Sequence, residues 1–456
     1  MPVTDDTIAA ISTAPGEAGI AVVRVSGPDA LVIADALFEG SGDPPSRREP
    51  GAILHGQLRS AAAERLDDII LLIFRAPRSY TCEDVIEIQG HGGHVSARRA
   101  LQAALDAGAR PAEPGEFTRR AFLNGRLDLL QAEAVADLIR ARSDRAAAAA
   151  MEQMEGGLSS LFNTIYDSIV ALAADLESTL DFSHEELPRS VIPDLRERLV
   201  GASTSLRSLL ETWHEGHLLR EGALVVIAGK PNVGKSTLMN TMLRSTRAIV
   251  SEIPGTTRDT IEETMLLDGI PLRLVDTAGL RITDCPIEQE GIERAQSYIE
   301  RADLLIYLID GSMELDDWDR DQVARLLADK CLILLNKSDL GCVVGPPDLA
   351  TAARATPCSL AQGLPAGFED GLRTLLGDAA QAPPHAVISE RHRQILLRTL
   401  EAVDETSVLI STDNEAKIVL AASTLRTALE TLGKATGRVY HDELLDSVFS
   451  RFCVGK

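Results

Sequence analysis

The chain has 456 residues and a formal net charge of −23, so it is long enough for roughly two to four domains but repels phosphate backbones on average. A nucleic-acid partner would need a local basic patch or a second, more basic subunit. No apolar run approaches the ~18 residues that span a bilayer, and six scattered cysteines without a C-x-x-C pair argue against a disulfide framework or a zinc site and favour a reducing cytoplasm.

The N-terminal part of the chain, from Ile8 to about Ala121, predicts a mixed α and β domain. Short apolar or alternating runs predict strands at 19–25, 53–59, 68–75 and 84–89, and helical spacing predicts helices at 28–38 and 95–107. The segment Gly90–His94 places two histidines beside glycines, a combination that could mark a metal or phosphate site. We favour the alternative, a tight turn that caps the following helix.

Helical spacing begins at Glu116 and returns near the C-terminus, on both sides of a stretch that alternates strands with helices. That central stretch, 223–380, predicts a parallel sheet with flanking helices. Helices are predicted at 161–180, 194–213, 390–410, 415–432 and 439–452, and the last has an apolar face formed by Leu445, Val448, Phe449 and Phe452. The helical stretches resemble one domain into which the α/β unit is inserted, although two separate helical domains would give a similar pattern.

The stretch Gly229–Ser236 fits the pattern G-x-x-x-x-G-K-[ST] of a phosphate-binding loop. It follows the apolar run 223–228, which predicts a buried strand, and it precedes helical spacing at 237–243. Backbone N–H groups and a helix N-terminus must converge on phosphate oxygens, and a strand-to-helix turn provides that geometry. For this motif alone, a glycine-rich turn without a ligand is the alternative.

Further motifs follow in a fixed order and make the α/β unit a predicted GTP-binding domain. Gly255–Asp259 offers threonines that could ligate magnesium. In Asp276–Gly279 the aspartate suits magnesium held through water, and the glycine lets a backbone N–H approach the γ-phosphate. The aspartate of Asn336–Asp339 can accept hydrogen bonds from the N1–H and 2-amino group of guanine, and adenine offers neither donor. Cys358–Leu360 would touch the base from its far side.

One group expected for hydrolysis is missing. Leu280 follows Gly279 where Ras-like GTPases have the glutamine that orients water. The nearby acids could replace it, but composition does not choose between them, and a solvated face is the alternative for each. These acids are Asp284, Glu288, Glu290 and Glu293.

With these motifs in place, the chain resembles the MnmE (TrmE) family of tRNA-modification GTPases along its whole length. The most specific parts of the match are the phosphate loop, Ile249–Asp259, Ala121–Leu129 and the closing Ser450–Lys456. The resemblance implies a GTP hydrolase (EC 3.6 class) that forms a homodimer and works with an FAD-dependent MnmG (GidA) protein in a heterotetramer or larger complex. Such proteins install a carboxymethylaminomethyl or aminomethyl group at C5 of the wobble uridine (U34) of certain tRNAs. We expect tRNA to be contacted mainly through the partner.

The resemblance also implies an arrangement of domains. An α+β tetrahydrofolate-binding and dimerisation domain would occupy 1–121. A helical domain in two parts, 122–220 and 381–456, would contain an inserted P-loop GTPase (G) domain at 221–380. The implied cofactor is 5,10-methylene- or 5-formyl-tetrahydrofolate, which provides the one-carbon unit.

Site residues are carried over position by position. Potassium would be bound by Asn232, Ser251, the main chain of Ile253, and Thr256, and magnesium by Ser236 and Thr257. The monovalent cation supplies the charge that other GTPases take from an arginine finger. Glu288 matches the family's catalytic glutamate, which orients the attacking water once two GTPase domains meet. The expected GTP contacts are Asn232, Val233, Gly234, Lys235, Ser236, Thr237, Ser251, Glu252, Ile253, Pro254, Gly255, Thr256, Thr257, Asp276, Thr277, Ala278, Gly279, Asn336, Lys337, Ser338, Asp339, Cys358, Ser359 and Leu360.

A second set of matching positions is implied for the folate. These are Arg24, Glu83, Arg126 and Lys456: a carboxylate suits the pterin, and cations suit the glutamate tail. The chain departs from the family pattern at two positions near this set. Cys82 stands where the family usually has glycine, and Arg126 replaces a commoner lysine and presents a planar fork. In the potassium set, Ser251 replaces a frequent threonine. Cys453 lies near the implied one-carbon chemistry, but for a lone cysteine beside an apolar helix we favour packing over catalysis.

Two other classes of function were weighed against a tRNA-modifying GTPase. A regulatory GTPase in ribosome assembly predicts a basic RNA-binding module after the GTPase domain, whereas this tail is helical and the whole chain is acidic. A folate-binding scaffold with a vestigial GTPase would not need an intact set of nucleotide motifs. The sequence therefore favours a tRNA-modifying GTPase.

Overall fold

The computed structural model describes residues 6–181, 191–245, 262–276, 297–349, 354–377, 388–410 and 415–456. The chain divides into two compact units. One comprises Met1–Ala136, Met154–Ala202 and Arg398–Lys456, and the other comprises Asp137–Gln153 and Ser203–Leu397. Each unit therefore combines stretches that are far apart in the sequence.

The elements are numbered in chain order over these residues. Strands β1 to β13 are Ile8–Ile11, Ile20–Ser26, Phe38–Gly40, Ile53–Arg59, Arg65–Phe74, Val85–His91, Arg110–Pro111, Ala223–Gly229, Glu262–Leu267, Ile270–Asp276, Leu304–Asp310, Cys331–Asn336 and Arg354–Pro357. Helices α1 to α14 are Ala30–Leu37, His94–Asp106, Glu116–Leu123, Leu129–Arg140, Asp144–Met154, Gly157–Asp181, Val191–Glu211, Trp213–Glu221, Lys235–Ser245, Asp317–Ala324, Phe368–Leu376, Glu390–Leu409, Glu415–Thr436 and Asp442–Phe449. In the ranges above, no helix is long and apolar enough to cross a membrane.

A seven-stranded sheet in the order β3-β4-β5-β6-β2-β1-β7 forms the N-terminal part of the first unit. Its neighbours are antiparallel except for the parallel pair β1 and β7. Helices α1 and α2 pack on the sheet, and alternate residues of β5 (Ile69, Leu71 and Ile73) are buried in this core because strand side chains alternate between faces. Each fully buried side chain of this kind contributes about 1.5–3 kcal/mol.

The segment Gly90–His94 differs in part from its prediction. β6 extends to His91, and α2 begins at His94 with Gly93 as its cap residue. Gly93 caps this helix end without a side-chain hydrogen bond, and its carbonyl accepts from the Ala97 N–H over 3.2 Å, so the segment caps the helix through its backbone. His91 pairs with Asp67, and the structure shows no metal-ligating group of three among the residues it describes.

Helices complete the first unit. α3 packs against α14, where Phe122 joins the apolar face of Leu445, Val448, Phe449 and Phe452 that the sequence predicts. α6 lies along α13.

The second unit contains a six-stranded sheet in the order β13-β12-β11-β8-β10-β9. The predicted parallel sheet is confirmed except at β9, which is antiparallel to β10. Asp268 and Gly269 connect this pair, both with positive φ (50° and 81°), as a two-residue hairpin turn requires. β8 is buried on both faces: Val225 and Ile227 lie in one core and Leu224 and Val226 in the other.

Candidate functional site

The predicted phosphate loop lies between β8, which ends at Gly229, and α9, which begins at Lys235. Gly229 and Gly234 adopt φ values of 140° and 109°, in the region that favours glycine. A Cβ added to Gly234 would lie 2.4 Å from Nδ2 of Asn336, so no side chain fits there. Asn232 has φ 62°, a left-handed conformation that asparagine tolerates better than most residues. The loop can therefore bring its backbone close to a phosphate.

The Lys235 ammonium is held at this loop by main-chain acceptors. Its Nζ donates to the carbonyl of Gly229 over 2.8 Å and to that of Lys230 over 2.7 Å, and the side chain is buried. A lysine at this position of a phosphate loop reaches the β- and γ-phosphates. Val233 is buried beside it, and Thr237 lies exposed in the first turn of α9.

An oxygen pair suited to magnesium lies next to the loop. Ser236 donates a hydrogen bond through Oγ to Oδ2 of Asp276 over 3.0 Å. Asp276 ends β10, which pairs in parallel with β8, and Ser236 lies in the first turn of α9, which follows β8 through the phosphate loop; both groups therefore meet at one edge of the sheet. Hydroxyl and carboxylate oxygens are ligands that Mg²⁺ prefers. Ser236, a predicted magnesium ligand, and Asp276, predicted to hold magnesium through water, are thus brought together.

Asn336 ties the predicted base-binding segment to the phosphate loop. Its Nδ2 donates to the carbonyl of Val233 over 2.8 Å, and its Oδ1 accepts from the backbone N–H of Leu360 over 2.9 Å. The side chain is buried, so both bonds are shielded from water. The Asn336 amide therefore connects its own segment to the phosphate loop and to the Cys358–Leu360 segment. The sequence gives the order of these three motifs but not their contacts.

The remaining base-site residues surround this amide. The Ser338 N–H donates to the Cys358 carbonyl over 3.0 Å, and Asp339 is exposed. The Ser359 hydroxyl is buried and has no hydrogen-bond partner among the described residues. Such an orphaned group is the kind that a bound ligand satisfies.

Two groups of ion pairs beside this site were not predicted from the sequence. Lys337, at φ 65°, donates through Nζ to Oδ2 of Asp310 over 2.6 Å, and Lys230 pairs with Asp316 and Asp319 at the start of α10. Asp310 ends a buried strand, as Asp276 does, and that signal could have identified it. Aspartates at the start of a helix read as ordinary capping residues, so the Lys230 pairs carried no sequence signal.

Many of the predicted nucleotide residues lie outside the described residues, and the structure does not test them. They are Ser251, Glu252, Ile253, Pro254, Gly255, Thr256, Thr257, Thr277, Ala278, Gly279 and Glu288.

Two of the cations predicted for folate, Arg24 and Arg126, meet around Tyr80 in the first unit. The guanidinium carbons of Arg24 and Arg126 lie 5.3 Å and 5.0 Å from the centre of this ring. Arg24 donates through Nε and Nη2 to Oε1 of Glu87, over 2.9 Å and 2.8 Å, while its Nη1 is buried without a partner in the described part of the chain. Burial lowers the pKa of the Lys456 ammonium and repulsion from Arg24 lowers it further, against the opposing effect of Glu87. Three cations and one carboxylate therefore leave an excess of positive charge.

Glu83, the predicted pterin partner, lies in a different environment. Its carboxylate is buried, accepts from Ser26 Oγ over 2.7 Å, and receives Arg120 Nη1 at 3.2 Å from each oxygen. Arg120 in turn donates to Glu116 and to Asp6. Glu83 is thus part of a buried network and is not shown in contact with the Tyr80 cations.

Two cysteines that the sequence singled out lie in special positions. Cys82 has φ 60°, which explains why glycine suits this position. Cys453 is exposed, so the favoured interpretation of apolar packing is wrong. Its carbonyl accepts from the Gly115 N–H over 3.4 Å, and the next residue, Val454, pairs with Pro114.

Comparisons with known proteins cover nearly the whole chain. Residues 7–126 match the family model described as the GTP-binding protein TrmE N-terminus, and residues 129–453 match the MnmE helical domain. Two tRNA modification GTPases named MnmE, from Geobacter metallireducens and Geobacter sulfurreducens, are 41% and 43% identical, and each match spans 99% of both chains. The Bacillus subtilis protein of that name is 39% identical over 99% of this chain and 100% of its own.

The chain belongs to the MnmE family of tRNA modification GTPases. The predicted family and enzyme class, a GTP hydrolase acting in tRNA modification, are thereby confirmed. Among solved structures, the G domain of the T. maritima FeoB iron transporter matches 35% of this chain and 99% of its own at 23% identity, with a TM-score of 0.26. So low a score adds nothing to the MnmE assignment, which rests on the full-length relatives.

Proposed function

We propose that this chain hydrolyses GTP in a cycle that depends on magnesium and potassium. The observation that carries the proposal is the convergence of Lys235, Ser236 and Asp276 at one end of the sheet, with Asn336 linking them to the base site. Ser236, with Thr257, would hold Mg²⁺, which when bound neutralises charge on the phosphates. Lys235 holds the β- and γ-phosphates, and Asp339 accepts from the guanine edge.

The potassium part of the proposal is supported by Asn232. This residue is exposed on the phosphate loop in a left-handed conformation, and its amide oxygen is a hard ligand suited to an alkali cation. With Ser251, the main chain of Ile253 and Thr256 it would complete the ligand set. Glu288 takes the water-orienting role for which Leu280 cannot serve.

Hydrolysis rates in two salts, and in variants of two acidic residues, test this proposal. GTPase activity should rise sharply in potassium over sodium buffer, and Glu288→Ala should abolish hydrolysis while GTP binding is kept. Asp284→Ala, which removes a neighbouring acid, is the matched control and should retain activity. Equal rates in both salts would refute the cation assignment, and equal loss in both variants would refute the specific role of Glu288.

The biological role we infer is modification of the wobble uridine at C5, with an FAD-dependent MnmG-like partner, in the cytoplasm. The chain would act as a homodimer built from a folate-binding domain (1–121), a helical domain (122–220 and 381–456) and an inserted G domain (221–380). Bound tetrahydrofolate would provide the one-carbon unit. Binding of tetrahydrofolate is supported by the excess positive charge around Tyr80. It is also supported by the buried Nη1 of Arg24, which lacks an acceptor that a folate carboxylate would supply.

Mass spectrometry of tRNA tests the biological role. Cells that lack this protein should lose the C5 modification of the wobble uridine, and the wild-type gene should restore it. Arg24→Ala should fail to restore it and should no longer bind 5-formyl-tetrahydrofolate in titration calorimetry. Unchanged modification in the deleted strain would refute the role, and would leave a regulatory GTPase in ribosome assembly as the alternative.

A further inference from the structure

The second residue of the phosphate loop, Lys230, is anchored to helix α10 by its side chain. Its Nζ donates to Oδ2 of Asp319 over 2.6 Å and also to Oδ2 of Asp316. The same ammonium lies 5.3 Å from the centre of the Trp318 ring. We refer to Lys230, Asp316 and Asp319 as the Lys230 cluster.

The acceptors of this cluster are fixed by the start of α10. Asp316 is the N-cap residue, and its Oδ1 accepts from the backbone N–H of Asp319 over 2.9 Å. The Asp319 side chain is only 11% exposed. The helix cap fixes the Asp316 carboxylate and burial restricts that of Asp319, so the two acceptors hold the lysine in one place.

The main chain of Lys230 performs a second task. Its carbonyl oxygen accepts a hydrogen bond from the Lys235 ammonium over 2.7 Å. The residue whose side chain is fixed to α10 therefore supplies one of the acceptors that hold the phosphate-binding lysine. Any shift of the Lys230 backbone would move the acceptor and change the position of the Lys235 ammonium.

We propose that the Lys230 cluster sets the first turn of the phosphate loop and, through the Lys230 carbonyl, the position of Lys235. Lys230 is then a positioning residue for the nucleotide. This inference rests on the proposed GTP site, because it assigns a task within that site. The contact between the loop and α10 lies outside the nucleotide motifs.

If the Lys230 cluster acted only through its charge, the variants would behave differently from those of a positioning residue. The direction of the change in nucleotide affinity therefore separates the electrostatic explanation from the positioning explanation. The cluster carries two carboxylates and one ammonium, so removing the lysine makes the site more negative and removing the carboxylates makes it more positive. If only the field mattered, these changes would shift the affinity for an anionic nucleotide in opposite directions. If position matters, both changes weaken binding.

The test uses the full chain and N-methylanthraniloyl-GDP with Mg²⁺. Lys230→Met should raise the Kd about tenfold, which corresponds to about 1.4 kcal/mol, and Asp316→Asn/Asp319→Asn should raise it by a similar factor. Lys230→Arg should restore most of the affinity, because it keeps both ion pairs. The matched control is Arg373→Met, which removes an ion pair with Asp268 elsewhere in the same unit and should leave the Kd unchanged.

The thermal unfolding of each variant is measured without nucleotide, so that a loss of affinity is distinguished from a failure to fold. Asp319→Asn, which removes the charge of the more buried acceptor and keeps the Asp316 cap, replaces the double variant if the latter does not fold. The inference is overturned if Lys230→Met binds as tightly as the wild type, or if the Lys230 and aspartate variants shift the Kd in opposite directions. Failure of the wild-type chain to bind the probe would instead refute the proposed GTP site.

Discussion

The Ser236 hydroxyl donates to Oδ2 of Asp276 over 3.0 Å, across the junction between the phosphate loop and the end of a neighbouring strand. If this pair holds magnesium, Asp276→Asn should raise the Mg²⁺ concentration for half-maximal GTPase activity about 10–100-fold, because an amide is a weaker and uncharged partner of the ion's hydration shell. Asp329→Asn, an exposed acid of the same unit, is the control. The same magnesium dependence in both variants would contradict the assignment.

The exposed carboxylate of Asp339 predicts a change of base specificity. Asp339→Asn replaces an acceptor with an amide that can donate to the C2 carbonyl of xanthine but cannot accept both guanine donors. GTP affinity should fall by about 2–3 kcal/mol, and binding of xanthosine triphosphate should appear. Competition titrations with the two nucleotides measure both effects. A variant that keeps its preference for GTP would place the base elsewhere.

The left-handed backbone of Cys82 predicts a stabilising substitution. Relief of strain at φ 60° is worth about 1–2 kcal/mol, and the added freedom of an unfolded glycine costs about 0.4–1 kcal/mol. Cys82→Gly should therefore raise the free energy of unfolding by about 0.5–1 kcal/mol in urea titrations. Cys82→Ala keeps the strain and should change little. If both variants gain equally, the thiol and not the backbone is responsible.

The buried guanidinium of Arg120 predicts a large loss of stability. Arg120 is 2% exposed and pairs with Glu83, Glu116 and Asp6. Arg120→Met should reduce the free energy of unfolding by about 3–5 kcal/mol, because buried carboxylates would lose their partner. Arg438→Met breaks an exposed pair with Asp167 and should cost about 0–1 kcal/mol. Equal effects would mean that the network is solvated.

The exposed ring of His91 predicts a shifted titration. Its hydrogen bond to Asp67, through Nδ1 at 2.6 Å, and the charge of that carboxylate raise the pKa of His91 above its ordinary 6.5. Since the folded pKa is raised, the pair stabilises the fold below the ordinary pKa, and that contribution is lost as pH rises through the folded value. An NMR titration of the wild type should give a higher pKa than one of Asp67→Asn. Identical curves would show that the pair is absent in solution.

The nucleotide loop was predictable because its motif demands a strand before it and a helix after it, and β8 and α9 satisfy both. The strands β1, β3 and β7 were missed because two to four residues are too few to display alternation. The Glu83–Arg120 pair was also unpredictable, since its partners lie 37 positions apart and a charged residue in sequence reads as exposed. Pairing of this kind depends on tertiary structure rather than on local spacing.

The pairing of Pro114 with Val454 has a consequence for the order of folding during translation. The long stretch Ser203–Leu397 of the second unit leaves the ribosome while Val454 is still to be made, so the sheet of that unit can form before Pro114 and Val454 pair. The N-terminal sheet emerges earlier still. The hydrophobic cluster around Phe122, however, cannot form until Phe449 has been synthesised, because Phe449 belongs to the same cluster. Pulse-labelled nascent chains should therefore resist protease at the GTPase sheet before they do so around Phe122.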